Sequence, residues 1–132
     1  MIKKTLVALD VDTSEPLQVD FGYRPDYPLE VRMRFRNIYG QSVTWVIERD
    51  ELSKGMDQDS GTMDVLVTPV DDNHSLSITL VGMDFAAEYY VEKDDVYRFL
   101  VDSYDAVPPG SETKIVSASL DRFLEEILTN GA

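Results

Sequence analysis

The sequence predicts an α+β domain of about seven antiparallel strands followed by two helices packed at one side. Three observations carry that expectation. Apolar and polar residues alternate through several short segments up to Val91, the period of strands with one buried face. Beyond Val91 the period changes to that of a helix. The 132 residues, 43% of them hydrophobic, suffice for one core but not two, so positions 1–132 read as a single domain.

Alternation in Thr5–Asp12 and Leu17–Phe21 gives two opening strands, the second bracketed by Pro16 and Gly22. From Tyr27 the pattern sharpens. Leu29, Val31, Met33 and Phe35 alternate with Glu30, Arg32, Arg34 and Arg36, and Val43, Trp45 and Ile47 alternate with Thr44, Val46 and Glu48. Matching the apolar faces sets Val31 opposite Ile47, Met33 opposite Trp45 and Phe35 opposite Val43. That register leaves the loop Ile38-Tyr39-Gly40, whose last position needs a positive φ and is glycine. Asp50 is placed to cap a short helical turn through Ser53, and Gly55 to end it. Met63, Val65 and Val67 form the next strand, closed by Pro69. Asp71-Asp72-Asn73 is a turn. Leu76, Ile78 and Leu80 then pair with Phe85, Ala87, Tyr89 and Val91 around Gly82.

Val96, Phe99, Leu100 and Ser103 recur at helical spacing, with Tyr97, Val101 and Tyr104 widening the stripe. Asp94 and Asp95 stand in the first turn, where the helix dipole favours acids. Pro108-Pro109-Gly110 breaks this helix. Ser119 caps a last one, with Leu120, Phe123, Leu124, Ile127 and Leu128 on one face. No internal repeat is visible.

Twelve basic against twenty-five acidic residues give a net charge of −13, a field that repels phosphate backbones and anionic lipids. The absence of cysteine excludes a disulfide scaffold and thiol chemistry. The start, MIKKTLVALDVD, has too short an apolar run for a signal peptide, and nothing approaches the ~20 apolar residues of a membrane span. A cytoplasmic protein without membrane insertion is expected.

The blocks SVTWVIERDELSKGM, GTMDVLVTP and DAVPPGSE, in that order and followed by an amphipathic tail, resemble the SsgA-like proteins. These are small sporulation and cell-division proteins of mycelial actinobacteria. The likeness runs from Tyr23 to Leu128. Matching positions are Trp45, Arg49, Asp50, Leu52 and Gly55; then Gly61, Thr62, Asp64, Val65 and Pro69; then Val107, Pro108, Pro109, Gly110 and Glu112. The first twenty residues and the loop Asp71–Ser75 depart from the pattern. The resemblance implies curved antiparallel sheets followed by a helix-loop-helix, an arrangement of the Whirly type. It also implies a non-enzymatic adaptor without cofactor that helps position the division septum. The implied partner is the tubulin-like division GTPase FtsZ or another SsgA-like protein, and the implied assembly is a homotrimer.

Arg32, Arg34 and Arg36 share the outer face of one strand, about 7 Å apart, opposite Val46, Thr44 and Ser42. They are the candidate contact surface for an acidic partner, with exposed Val46 beside them. The competing reading is ion pairing with carboxylates of another strand. Trp45, Met33, Met63, Phe99 and Phe123 read as core by periodicity, and the other family-motif positions as structural. His74, the one histidine, lies in an acidic turn with Asp71 and Asp72 and lacks metal-ligand spacing. Asp57–Gly61 fails the calcium-loop pattern, since Thr62 and Thr68 stand where Gly and Glu are needed. No catalytic or cofactor motif is present. Two alternatives remain: a single-stranded nucleic-acid module, which needs a basic, aromatic groove, and a small-molecule-binding or enzymatic domain, which needs a pocket with convergent polar groups.

Overall fold

The computed structural model describes residues 1–130. Within them lie β1 (Ile2–Asp10), β2 (Pro16–Tyr23), β3 (Glu30–Arg36), β4 (Ser42–Glu48), α1 (Arg49–Lys54), β5 (Ser60–Gly61), β6 (Val65–Pro69), β7 (Ser75–Val81), β8 (Ala86–Glu92), α2 (Lys93–Ala106) and α3 (Glu112–Asn130). All eight strands join one antiparallel sheet in the order β4-β3-β2-β1-β8-β7-β6-β5. It curls until β4 approaches β6 and is nearly closed.

The inner face gathers the core. Val19, Phe21, Val31 and Met33 from one side meet Val65, Val67, Leu76 and Ile78 from the other. α2 lies over β1 with Val96, Phe99, Leu100 and Ser103 buried, the spacing expected of it, and the Phe99 ring meets Phe21 edge-on at 5.5 Å. Burying such side chains stabilises by roughly 1.5–3 kcal/mol each.

The β3–β4 hairpin has the expected register, Val31↔Ile47, Met33↔Trp45 and Phe35↔Val43, and Gly40 has φ 79°. Several other expectations are corrected. Alternation does not continue past the strand ends. Leu29 and Phe85 lie in turns and are exposed, and Met63 sits in the tight β5–β6 turn, 92% exposed. Val43 keeps its parity, but at the end of an edge strand it is 53% exposed. Trp45 points inward, though only partly buried. Tyr97 and Val101 are exposed, because α2 meets the sheet along a narrower stripe than supposed. Asp50 does not cap α1: the cap position falls two residues earlier, at extended Glu48, and the helix begins at Arg49 with no side-chain cap. Gly55 has φ −62°, so space and not conformation requires it; a Cβ there would lie 2.3 Å from Val67 Cγ1. Ser119 falls inside α3, which starts at Glu112; its side chain lies outside the described residues.

The chain also repeats itself. β1–β4 followed by α1, and β5–β8 followed by α2, are the same order of elements. The strand-to-helix joints match: Val46-Ile47-Glu48-Arg49-Asp50-Glu51-Leu52 beside Tyr90-Val91-Glu92-Lys93-Asp94-Asp95-Val96. Each helix follows an extended glutamate. The repeat is one of element order, and β5 is only two residues long, so no run of identical letters announces it.

Candidate functional site

The most distinctive chemistry is a buried cation. Arg49 follows β4 at the inward parity of Trp45 and Ile47, and is 1% exposed. Its guanidinium lies between two tyrosine rings, 4.8 Å from the Tyr23 centroid and 4.4 Å from that of Tyr104. It donates to the Ser103 carbonyl at 3.0 Å and the Val107 carbonyl at 2.8 Å. It also pairs with the Glu112 carboxylate. α2 has no basic residue in its last turn, so Arg49 supplies the cation its carboxyl end favours.

Glu112 opens α3 and reaches back with its other oxygen to accept from Gly110 N–H at 2.8 Å. The Arg49 hydrogen bond holds its carboxyl below the usual glutamate range. Family-motif residues Arg49, Val107, Gly110 and Glu112 therefore meet at one junction that fixes where α2 ends and α3 departs. Pro108 and Pro109 form its exposed connector. Sequence reasoning gave Arg49 no role of its own; its inward parity was the available signal. The remaining motif positions serve packing and turns. Leu52 and Val65 are buried, the Asp64 carbonyl accepts from Val81 N–H at 2.8 Å, and a Cβ on Gly61 would meet the Val65 carbonyl oxygen at 2.1 Å. Pro69 ends β6 opposite Leu76. Asp50 is exposed at the start of α1.

The arginine strip lies as expected beside Val46, Thr44 and Ser42, but β2 forms its other border. Arg36 lies 2.9 Å from Asp20. Burial raises the Asp20 pKa, yet the Thr5 hydroxyl at 2.6 Å and the Arg36 guanidinium outweigh it and leave the carboxyl below its usual range. Arg32 lies 3.3 Å from Glu30. Arg34 has no carboxylate partner among the described residues. Val46 is exposed at the rim.

α3 differs from the periodic expectation most. Leu120, Phe123, Leu124, Ile127 and Leu128 share one face, as read, but nothing covers it: Phe123 is 57% exposed. Among the described apolar residues of α3, only Ile115, near its start, packs against the core. His74 is exposed in its turn, where Asp72 accepts from the His74 and Ser75 backbone N–H groups at 2.9 Å. No described helix is long and apolar enough to cross a membrane.

Comparison with known proteins agrees with this architecture. Residues 17–112 match the family model described as "Streptomyces sporulation and cell division protein, SsgA". A sporulation-specific cell division protein SsgB of Kineococcus radiotolerans is 33% identical over 118 residues, 86% of this chain and 70% of that protein. The SsgB of Streptomyces coelicolor is 31% identical over 125 residues, 91% of this chain and 89% of that one. A structure from work on SsgB mutations that correlate with longitudinal cell division during sporulation of Streptomyces coelicolor superposes with a TM-score of 0.80 at 26% identity, covering 86% of this chain and 94% of that one. The SsgA-like sporulation-specific cell division protein of Thermobifida fusca shares the fold with a TM-score of 0.85 at 22% identity, over 94% of each chain. Matched across the segment that holds β2 to Glu112, and superposed on solved relatives nearly end to end, this chain belongs to the SsgA family of sporulation and cell-division proteins.

Proposed function

We propose that this protein is a non-enzymatic adaptor of division and sporulation, which works as an oligomer and helps position the septum through surface contacts. Family membership supports the biological setting. The observation that carries the mode of action is the bare face of α3. Val116, Leu120, Phe123 and Ile127 recur at steps of four, three and four, the seam spacing of helices that pack on other helices. All four are exposed, with Leu124 and Leu128 beside them. A contiguous apolar stripe of this kind marks an interaction surface.

The proposed occupant is a second copy of the same chain, in a trimer. Its proposed target is the tubulin-like polymer of FtsZ, or another family member bound to it. Repeated weak contacts along a polymer give an oligomer avidity that a monomer lacks.

Two measurements test this. Light scattering at micromolar concentration is expected to give a multiple of 15.0 kDa, and a fluorescent fusion is expected at forming septa. Leu120→Glu combined with Leu124→Glu should return the mass to that of one chain and disperse the septal signal. A monomeric parent would refute the assembly, and a parent that stays diffuse during septation would refute the adaptor role.

A further inference from the structure

The outer face of β1–β4 is a grid of three rows. Lys3, Gly22, Arg32 and Val46 are successive neighbours across the four strands. Thr5, Asp20, Arg34 and Thr44 form the next row, and Val7, Gln18, Arg36 and Ser42 the third. β2 contributes the low members of the first two rows, while Gln18 in the third is exposed. Gly22 has no side chain, and the Asp20 carboxylate is held by Thr5 and Arg36. A trough therefore runs along β2, walled by β1 on one side and the arginines of β3 on the other. Those walls stand about 10 Å apart, two strand spacings, room for one extended chain. The trough deepens to about 240 Å³ at the Gly22 end, against Lys3, Arg32, Arg34 and Thr44. At the Gln18 end it opens to about 520 Å³ beside Val7, Arg36 and Ile38.

We infer that this trough binds an acidic, extended segment of a partner polypeptide. The inference rests on the adaptor reading, for which it supplies the partner contact. Charge is the first reason. Lys3, Arg32, Arg34 and Arg36 place four of the chain's twelve basic residues here. Of the nearby carboxylates, Asp20 and Glu30 are already engaged by Arg36 and Arg32, and Glu48 lies opposite Glu30, beyond the Arg32 row. Lys3 and Arg34 have no ion pair among the described residues. Spacing is the second. Arginines on every second residue repeat at about 7 Å, the repeat of side chains on one side of an extended peptide, and a guanidinium pairs with carboxylate through two parallel bonds. The rim is the third: Val7, Ile38 and Val46 are exposed apolar residues for the peptide's uncharged positions. A nucleic acid fits less well, since the three rows hold no aromatic for base stacking. A few carboxylates are also repelled far less than a phosphate backbone by a chain of net charge −13.

The test is fluorescence anisotropy on the full chain with a labelled peptide of alternating glutamate and threonine. A block-ordered peptide of the same composition and a thymidine dodecamer serve as comparators. The alternating peptide is expected to bind about fivefold tighter than the block-ordered one, and to weaken about tenfold on Arg34→Gln, the loss of one charge-assisted contact. Gly22→Val should weaken it as much by filling the floor. Gly22 is not in the positive-φ region, and an added Cβ meets nothing closer than the terminal methyl of Met1, at 3.2 Å. Both variants should therefore keep the parent's melting temperature, which circular dichroism checks. Equal binding of the two peptides, indifference to both substitutions, or displacement of the peptide by the dodecamer would each overturn the inference. Septal localisation separates it from the wider reading. Variants that lose the peptide yet keep septal foci refute the trough as the partner contact and leave the adaptor standing. A parent that binds the peptide but never reaches septa does the reverse.

Discussion

Arg49 shows how one side chain can be indispensable and locally out of place. A guanidinium stripped of water is tolerable only because two carbonyls, a carboxylate and two ring faces surround it. Arg49→Ala would leave Glu112 and the end of α2 uncompensated, and should cost about 3–5 kcal/mol in urea unfolding. The pH dependence has a definite sign. The Glu112 carboxyl is depressed below its ordinary 4.5 in the folded chain, so its stabilisation is complete above that pH and is lost as pH falls through the folded value. Urea midpoints of the parent and Glu112→Gln should therefore differ by a constant at neutral pH and converge in acid. Two glycines make a second test, because they are needed for opposite reasons. Gly40 has open space but φ 79°, so Gly40→Val should cost about 1–3 kcal/mol of backbone strain. Gly55 has an ordinary φ and no room, so Gly55→Ala should cost about as much through overpacking. Only Gly55→Ala should couple to Val67→Gly, which removes both Val67 atoms that a Cβ at position 55 would meet, Cγ1 at 2.3 Å and Cβ at 2.6 Å, as a double-mutant cycle in the melting data would show. Gly40 was legible from turn length alone. Gly55 was not, because its reason is a residue on another strand.

At the scale of elements, periodicity says which residues share a face but not what lies opposite. The β3–β4 register was readable because both faces and the turn came from one contiguous segment. The α2 stripe was readable too, since Val96, Phe99 and Leu100 do find the sheet. α3 carries the same signal, and its apolar face stands open. Two phenylalanines at equivalent-looking positions should therefore behave differently. Phe99→Ala is expected to cost about 3–5 kcal/mol in any unfolding experiment. Phe123→Ala should leave the single chain's stability nearly unchanged and act on the mass measured by light scattering. Equal destabilisation by both would mean that α3 packs on its own body. The trough was half legible: alternation placed the arginines outward, but the Asp20 beside them came from a strand whose register no turn signal had set.

At the scale of the molecule, the repeated unit of four strands and a helix leaves a narrow joint. Within each unit the long strands pair along much of their length, as β1 and β2 do from Ile2↔Tyr23 to Leu9↔Pro16, and only the two-residue β5 makes as few pairs as the joint. Between the units, β1 and β8 pair only at Leu9↔Tyr90 and Asp10↔Tyr89, with one further bond from Val11 N–H to the Glu88 carbonyl at 3.0 Å. What unites the halves is their common core, the α2–β1 contact, the Arg49 bonds to the end of α2 and to Glu112, and the Glu51 carboxylate that accepts from Ser60 and Gly61, more than the strand ladder. The covalent link through exposed Asp57, Gln58 and Asp59 is then dispensable for the finished architecture. Fragments 1–58 and 59–132, co-expressed, should associate into a complementing pair with the parent's circular dichroism, while each alone aggregates with its apolar face bare. Failure to recover a 1:1 complex would show that the joint is stronger than its pairing implies. Success would supply a split reporter whose two pieces find each other only when brought together, and would make half-exchange between intact copies an expected hazard of storing the protein concentrated.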